Sequence, residues 1–174
     1  IMRRLDDFLK LQIRRHLIMK TLPFKVIFDI ETDGLRPTKI WCMVIKELDG
    51  PVHKFGPDQI DEGIKLLQTA DVLMGHNIIG FDIPVVEKLY NVKLQGQVID
   101  TLVMSRLFNP SQENGHSLRT WGYRVGSPKK EQPITFDEYT PSMLDYCVQD
   151  VRLNEMVYHR LLKEGLGFSE ESIQ

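Results

Sequence analysis

The sequence has only two cysteines, and no apolar run in it approaches the ~18–20 residues that a bilayer-spanning helix requires. The first scarcity argues against a disulfide-stapled secreted domain, and the second against a helical membrane protein. Cys42 and Cys147 lie within apolar stretches, without metal-ligand spacing, and read as buried, reduced thiols of a cytoplasmic protein. Residues 1–20 carry charge throughout and have neither an apolar core nor a small-residue cleavage site, so they are not read as a secretory signal. An excess of positive charge is also missing: 22 Lys and Arg face 24 Asp and Glu. Alone, that balance speaks against a nucleic-acid binder. It decides little, however, because carboxylates that hold metal ions are neutralised by them.

What is present is the composition of one globular domain, 42% hydrophobic over 174 residues, with no internal repeat. Residues 1–20 pattern as a basic amphipathic helix, with Leu5, Phe8, Leu9, Ile13 and Leu17 on one face, separated from the rest by Pro23. This N-terminal segment, 1–22, is expected to dock on the domain or a partner, or to act as a DNA-contacting arm; residues 23–174 form the main domain. Strand signals follow at 24–30, 40–48 and 52–55, with Asp49-Gly50 as a hairpin turn between the last two. Helical patterns at 60–69, 81–90 and 101–108 alternate with short strands at 72–75 and 98–99. Ser117 caps a short helix, and a loop carrying Pro128, Lys129, Lys130 and Pro133 leads to a long helix over 141–164, opened by Pro141 and closed by Gly165. The expected fold class is α/β: a mixed sheet, three antiparallel strands and then parallel ones, flanked by helices.

Three acidic stretches carry the chemistry. Asp29 and Glu31 are two apart on an apolar strand, so they point to one face, where they repel each other and resist desolvation. No Lys or Arg stands at a compensating spacing, and hard oxygen ligands favour Mg2+ or Mn2+. Taken alone, the triplet reads more simply as a strand ending at Ile30 with Glu31 and Asp33 solvated in a turn. Asp82 follows a short strand and opens a helix, where it could merely complement the helix dipole; Asn77 stands nearby. Tyr146 and Asp150 are four apart on the long helix and share a face, beside an apolar stripe, with Arg152 or Arg106 as plain partners for Asp150.

Together these stretches resemble the DEDD 3′–5′ exonucleases of the ribonuclease-H-like superfamily. Asp29 and Glu31 match the first motif, Asp82 the second, Tyr146 and Asp150 the third. The tyrosine type is indicated, since the histidine type needs a histidine at the position of Asp145. The run Ile99-Asp100-Thr101-Leu102, and His116-Ser117-Leu118 followed by Trp121-Gly122-Tyr123-Arg124, looks like the proofreading domain of short-tailed-phage DNA polymerases of family A.

The resemblance implies hydrolysis of terminal phosphodiester bonds of single-stranded DNA with two divalent ions, Mg2+ or Mn2+. Asp29 would bridge both ions, Glu31 and Asp150 complete one site, and Asp82 hold the second. Tyr146 would orient the attacking water. Thr32, Leu35 and Asn77 would meet the terminal nucleotide, with Leu35 wedged against its base. It further implies a DNA polymerase as a separate subunit or domain, and a host-cell cytoplasmic setting if the chain is phage-encoded. Lys129, Lys130 and Arg124 are more simply solvated cations than phosphate ligands. His76 and His116 are structural rather than metal ligands, and Trp121 and Tyr123 core rather than base-stacking. An exoribonuclease, or a non-catalytic nucleic-acid or polymerase-binding module on the same fold, fits the same motifs.

Overall fold

The computed structural model describes residues 22–129 and 136–171. The expected helix over residues 1–20 and the surface role of Lys130 lie outside them.

Strand β1 (Lys25–Thr32) pairs antiparallel with β2 (Ile40–Glu47), and β2 antiparallel with β3 (Val52–Phe55). On its other edge β1 runs parallel to β4 (Val72–Gly75), and β4 parallel to β5 (Gln97–Asp100), giving the order β3-β2-β1-β4-β5. The helices are α1 (Ile60–Gln68), α2 (Asp82–Tyr90), α3 (Thr101–Phe108), α4 (Leu118–Arg124) and α5 (Pro141–Glu171). This is the mixed, helix-flanked sheet that the sequence pattern predicts.

The pleat of β1 decides what faces what. Val26, Phe28 and Ile30 go to one side and pack with Ile60, Ile64 and Leu67 of α1 and Val85 and Val86 of α2. Ile27 goes to the other, with Cys42, Val44 and Met74, under Met143, Cys147, Val148 and Val151 of α5. Asp29 and Glu31 share the face of Ile27 by the two-residue period and are turned toward α5. A one-residue slip would turn Val26, Phe28 and Ile30 away from the α1–α2 core and toward α5 and the crevice. It would also drive both carboxylates into the α1–α2 core, so burial fixes the register.

Three expectations need correction. Strand β1 continues past Ile30 to Thr32, with an irregularity between Glu31 and Thr32, so Glu31 is a strand residue rather than part of a solvated turn. Helix α5 does not close at Gly165 but runs on to Glu171. A glycine weakens a helix by only about 1 kcal/mol, and at Gly165 a Cβ would come within 2.8 Å of the Phe108 ring, so packing against the end of α3 accounts for it. Tyr123 is exposed, not core. Helix α4 turns Leu118, Trp121 and Val125 toward Leu153, Val157 and Leu161 of α5, which leaves Tyr123 on the outer face.

Candidate active site

The site forms where β1 outruns its neighbour. Pairing with β4 ends at Ile27–Met74, so the following stretch of β1 has a free edge at the point where the sheet changes from parallel to antiparallel. Crevices of this kind, beyond the carboxyl ends of strands, are where open α/β sheets bind ligands. One orphan donor of that edge, Ile30 N–H, is satisfied by Asp82 Oδ1 at 3.2 Å. Asp82 is thereby pulled from the first turn of α2 across the sheet's end and buried beside Glu31.

The turn that carries Asp82 there is itself pinned. Gly75 ends β4 where a Cβ would stand 2.1 Å from Ile78 Cγ2 and 3.0 Å from the Phe28 carbonyl, so only glycine lets the chain pass. Asn77 takes a left-handed conformation, φ 67°. Asp100, at the end of β5, accepts from Asn77 N–H at 2.9 Å, Ile79 N–H at 3.1 Å and Leu102 N–H at 2.9 Å. One carboxylate thus caps α3 and clamps the preceding turn.

From the other side, α5 brings Tyr146 and Asp150 one turn apart. The helix is tied to β1 at the level of the first motif: Cys147 Sγ donates to the Asp29 carbonyl oxygen at 3.2 Å. All of the predicted site residues, Asp29, Glu31, Thr32, Leu35, Asn77, Asp82, Tyr146 and Asp150, line one cavity of about 390 Å3. Thr32 is buried and donates its hydroxyl to the Gly34 carbonyl at 2.9 Å, shaping the turn after β1. Leu35, 92% exposed, stands at the mouth.

Gathering four acids in a crevice has a clear electrostatic signature. Burial, then the charges of Asp150, Asp82 and Glu31, hold Asp29 well above the ordinary carboxylate range. Burial and the Asp150 charge lift Glu31 to about 7, while Lys129 opposes the rise. Asp82 is lifted to about 7 chiefly by burial, against the bond it accepts from Ile30. Burial also raises Asp150, with Lys129 again opposing. Tyr146 is raised by burial, so its phenol keeps its proton at neutral pH. Asp150 Oδ1 is buried with no hydrogen-bond partner. Four oxygen donors, mutually repelling and with one acceptor unsatisfied, form the donor set that hard divalent cations take. The residues fit such ions.

Sequence reasoning passed over two residues here. Lys129 is not a solvated cation: its ammonium lies 2.5 Å from Asp150 Oδ2 and 4.5 Å from the centre of the Tyr146 ring. It, rather than Arg152 or Arg106, is the partner of Asp150, and among the described residues it is the only Lys or Arg lining the cavity. Burial disfavours its charge, but Asp150 and Tyr146 outweigh that and raise its pKa. The loop around it gives no periodicity from which such a reach could be read. His76 also lines the cavity, and burial lowers it to about 4, leaving the ring neutral. Arg124, by contrast, lies over Trp121 and bonds Gln112 and Glu164, away from the cavity.

A second group, Asp49, Glu155 and His159, brings potential ligand atoms within 4.8 Å of one another near the β2–β3 turn. Lys46 already pairs with one of its carboxylates, donating to Glu155 at 2.8 Å. Among the described residues, no helix is long and apolar enough to cross a membrane.

No family model matches the chain. The DNA-directed DNA polymerase of Enterobacteria phage T3 is 29% identical over 84% of this chain, and that of Escherichia phage T7 is 28% identical over 84%. The chain spans 28% of the length of each of these relatives. Among solved structures, Brucella melitensis NrnC bound to pGG superposes with a TM-score of 0.64 at 22% identity, covering 82% of this chain and 76% of that one. NrnC with bound Mg2+ gives 0.62 at 20%, over the same shares. Phi29 DNA polymerase complexed with single-stranded DNA gives 0.57 at 12%, covering 82% of this chain and 32% of that one. Similarity to part of two phage DNA polymerases, together with the shared fold, fits the resemblance drawn from the motifs, a DEDD exonuclease domain of the phage-polymerase kind.

Proposed function

We propose that this domain is a metal-dependent 3′–5′ exonuclease that removes nucleoside monophosphates from single-stranded DNA ends, as a proofreading domain does. The observation that carries the proposal is the meeting of Asp29, Glu31, Asp82 and Asp150, from three distant stretches of chain, in one crevice where, among the described residues, a single lysine faces four acids. Two divalent ions bound there would lower the pKa of water and stabilise charge on the departing 3′ oxygen. The solved NrnC with bound Mg2+ and the single-stranded DNA in the Phi29 structure support this choice of ion and substrate.

Each residue then has a task its position allows. Asp29, which feels the charges of the other three carboxylates, would hold the ions together with Glu31, Asp82 and Asp150. Water attacks phosphorus, the bond to the 3′ oxygen breaks, and that oxygen takes up a proton. Tyr146 stays protonated, so it orients the water as a hydrogen-bonding group rather than acting as a base. Leu35 at the mouth packs against the terminal base, and Thr32 and Asn77 border the terminal sugar. Contacts of this type read an end, not a sequence. The domain covers residues 23–174, and its partner is a DNA polymerase domain or subunit.

One observation favours a second reading, an exonuclease of short RNA: the pGG bound to NrnC. A time course on 5′-labelled single-stranded DNA and on RNA of the same sequence, in Mg2+, Mn2+ or EDTA, separates the two. Progressive shortening of DNA from its 3′ end, lost in EDTA and blocked by a 3′-phosphate, is expected. Preference for the RNA selects the second reading, and no shortening of either rejects both.

A further inference from the structure

Asp29, His76, Lys129 and Asp150 line both the cavity already described and a second, smaller one of about 190 Å3, whose other lining residues are Asn154, Leu118 and Val151. Two buried polar atoms in the described chain have no hydrogen-bond partner, His76 Nε2 and Asp150 Oδ1, and both belong to side chains that line this smaller space.

Their chemistry is settled by what their other atoms do. Asp150 Oδ2 is taken by Lys129, so Oδ1 is the free acceptor of that carboxylate. His76 Nδ1 lies 2.9 Å from the Thr101 hydroxyl, which in turn contacts the Gly75 carbonyl at 3.1 Å and Asn154 Oδ1 at 2.7 Å. Both oxygens can only accept, so the single hydroxyl hydrogen of Thr101 is committed to them, and His76 Nδ1 must donate. In a neutral ring that leaves a bare lone pair on Nε2. The backbone carbonyl of His116 is also near the ring, yet no hydrogen bond satisfies Nε2. Two acceptors in one small polar chamber call for a donor with two hydrogens, and a chamber of this size with several polar walls has room for water.

We propose that His76 is a positioning residue of this site: its Nε2 and Asp150 Oδ1 each accept one hydrogen of the same water molecule in the smaller chamber. With both hydrogens held, that water's lone pairs are left for a cation held by the carboxylate cluster or for attack on the substrate. The inference rests on the nuclease reading above and adds to it a residue that the three acidic motifs do not contain.

Two substitutions separate the ring's two jobs, because the polar end of Asn reproduces the Nδ1 position and that of Gln the Nε2 position. H76N keeps the bond to Thr101 and removes the acceptor at Nε2; H76Q does the reverse. Thermal melting, Mn2+ affinity by calorimetry without DNA, and kcat and KM on 5′-labelled single-stranded DNA are measured for both and for the parent. H76N is expected to melt like the parent, yet to lose about tenfold or more in kcat or Mn2+ affinity, the scale at which outer partners of metal ligands act, with KM unchanged. H76Q is expected to recover most of that loss even if it melts lower. Full function in H76N, or equal loss in both variants alongside equal loss of melting temperature, overturns the proposal and leaves the nuclease reading standing. A parent with no metal-dependent nuclease activity removes both.

Discussion

The ammonium of Lys129 lies 2.5 Å from Asp150 Oδ2 and 4.5 Å from the centre of the Tyr146 ring, so a loop residue stands between two side chains that the third motif presents one helical turn apart. It supplies positive charge to a crevice of four acids. Its own partner, Asp150, is one of the proposed metal ligands, so lysine and metal ion compete for the same carboxylate.

Replacing Lys129 by methionine therefore has opposite effects with and without metal. Without metal the variant leaves the acids uncompensated, and its melting temperature is expected to fall by a few degrees, the shift that roughly 1–2 kcal/mol produces in a domain of this size. Affinity for Mn2+, followed by calorimetry, is expected to rise several-fold. A variant with unchanged stability and weaker metal binding would show that Lys129 helps to hold the ion's surroundings instead of competing with it.

The raised carboxylates give a pH dependence with a definite sign. Glu31 and Asp82 titrate near 7 in the folded chain, above their ordinary values of 4.5 and 3.8, chiefly because burial penalises the charged form. Between those values and 7 the unfolded chain gives up these protons more readily than the fold does. Stability present at acid pH is therefore lost as pH rises through 7, by roughly 3–4 kcal/mol per group. Melting in EDTA is expected to fall from about pH 5 to pH 7.5, and Mg2+ or Mn2+ should restore it more strongly at each higher pH. Melting that rises with pH in EDTA would mean that these acids are not held neutral.

Asp29 lies closest to the centre of the repulsion, with Asp150, Asp82 and Glu31 all raising it. Asp29→Ala is expected to abolish nuclease activity on single-stranded DNA while the metal-free protein melts no lower than the parent at pH 7, since a like charge has been removed. Tyr146→Phe keeps the ring under Lys129 and removes one hydroxyl, so its loss in kcat should be smaller, on the order of ten- to a hundredfold. Equal activity of Asp29→Ala and parent in Mg2+, in preparations freed of contaminating nuclease, would contradict the assignment.

Much of this architecture could be read from the residues because period and punctuation agree. The alternation through Val26, Ile27, Phe28 and Asp29, the Asp49-Gly50 turn and the Ser117 cap each name a local structure, and the spacing of Tyr146 and Asp150 names a shared helical face. The three acidic motifs were legible through their resemblance to the DEDD exonucleases, since spacing alone left each of them open. What escaped has no local signature. Lys129 reaches Asp150 across 21 residues from a segment without periodicity, and His76 acquires meaning only when Thr101 of α3 fixes its tautomer. Asp100 was visible as part of a motif, but its clamp on Asn77 and Ile79 depends on the parallel pairing of β4 with β5. The end of α5 was misjudged because Gly165 looks like a stop until Phe108 is seen against it.

The most direct test is to locate the ions themselves. Crystals grown or soaked in Mn2+, measured at a wavelength where manganese scatters anomalously, are expected to show two peaks about 3.5–4 Å apart. Asp29 should lie between them, with Glu31, Asp82 and Asp150 around the pair and the Lys129 ammonium displaced from Asp150. Peaks confined to the surface group of Asp49, Glu155 and His159, or none in the crevice at saturating Mn2+, would contradict the account.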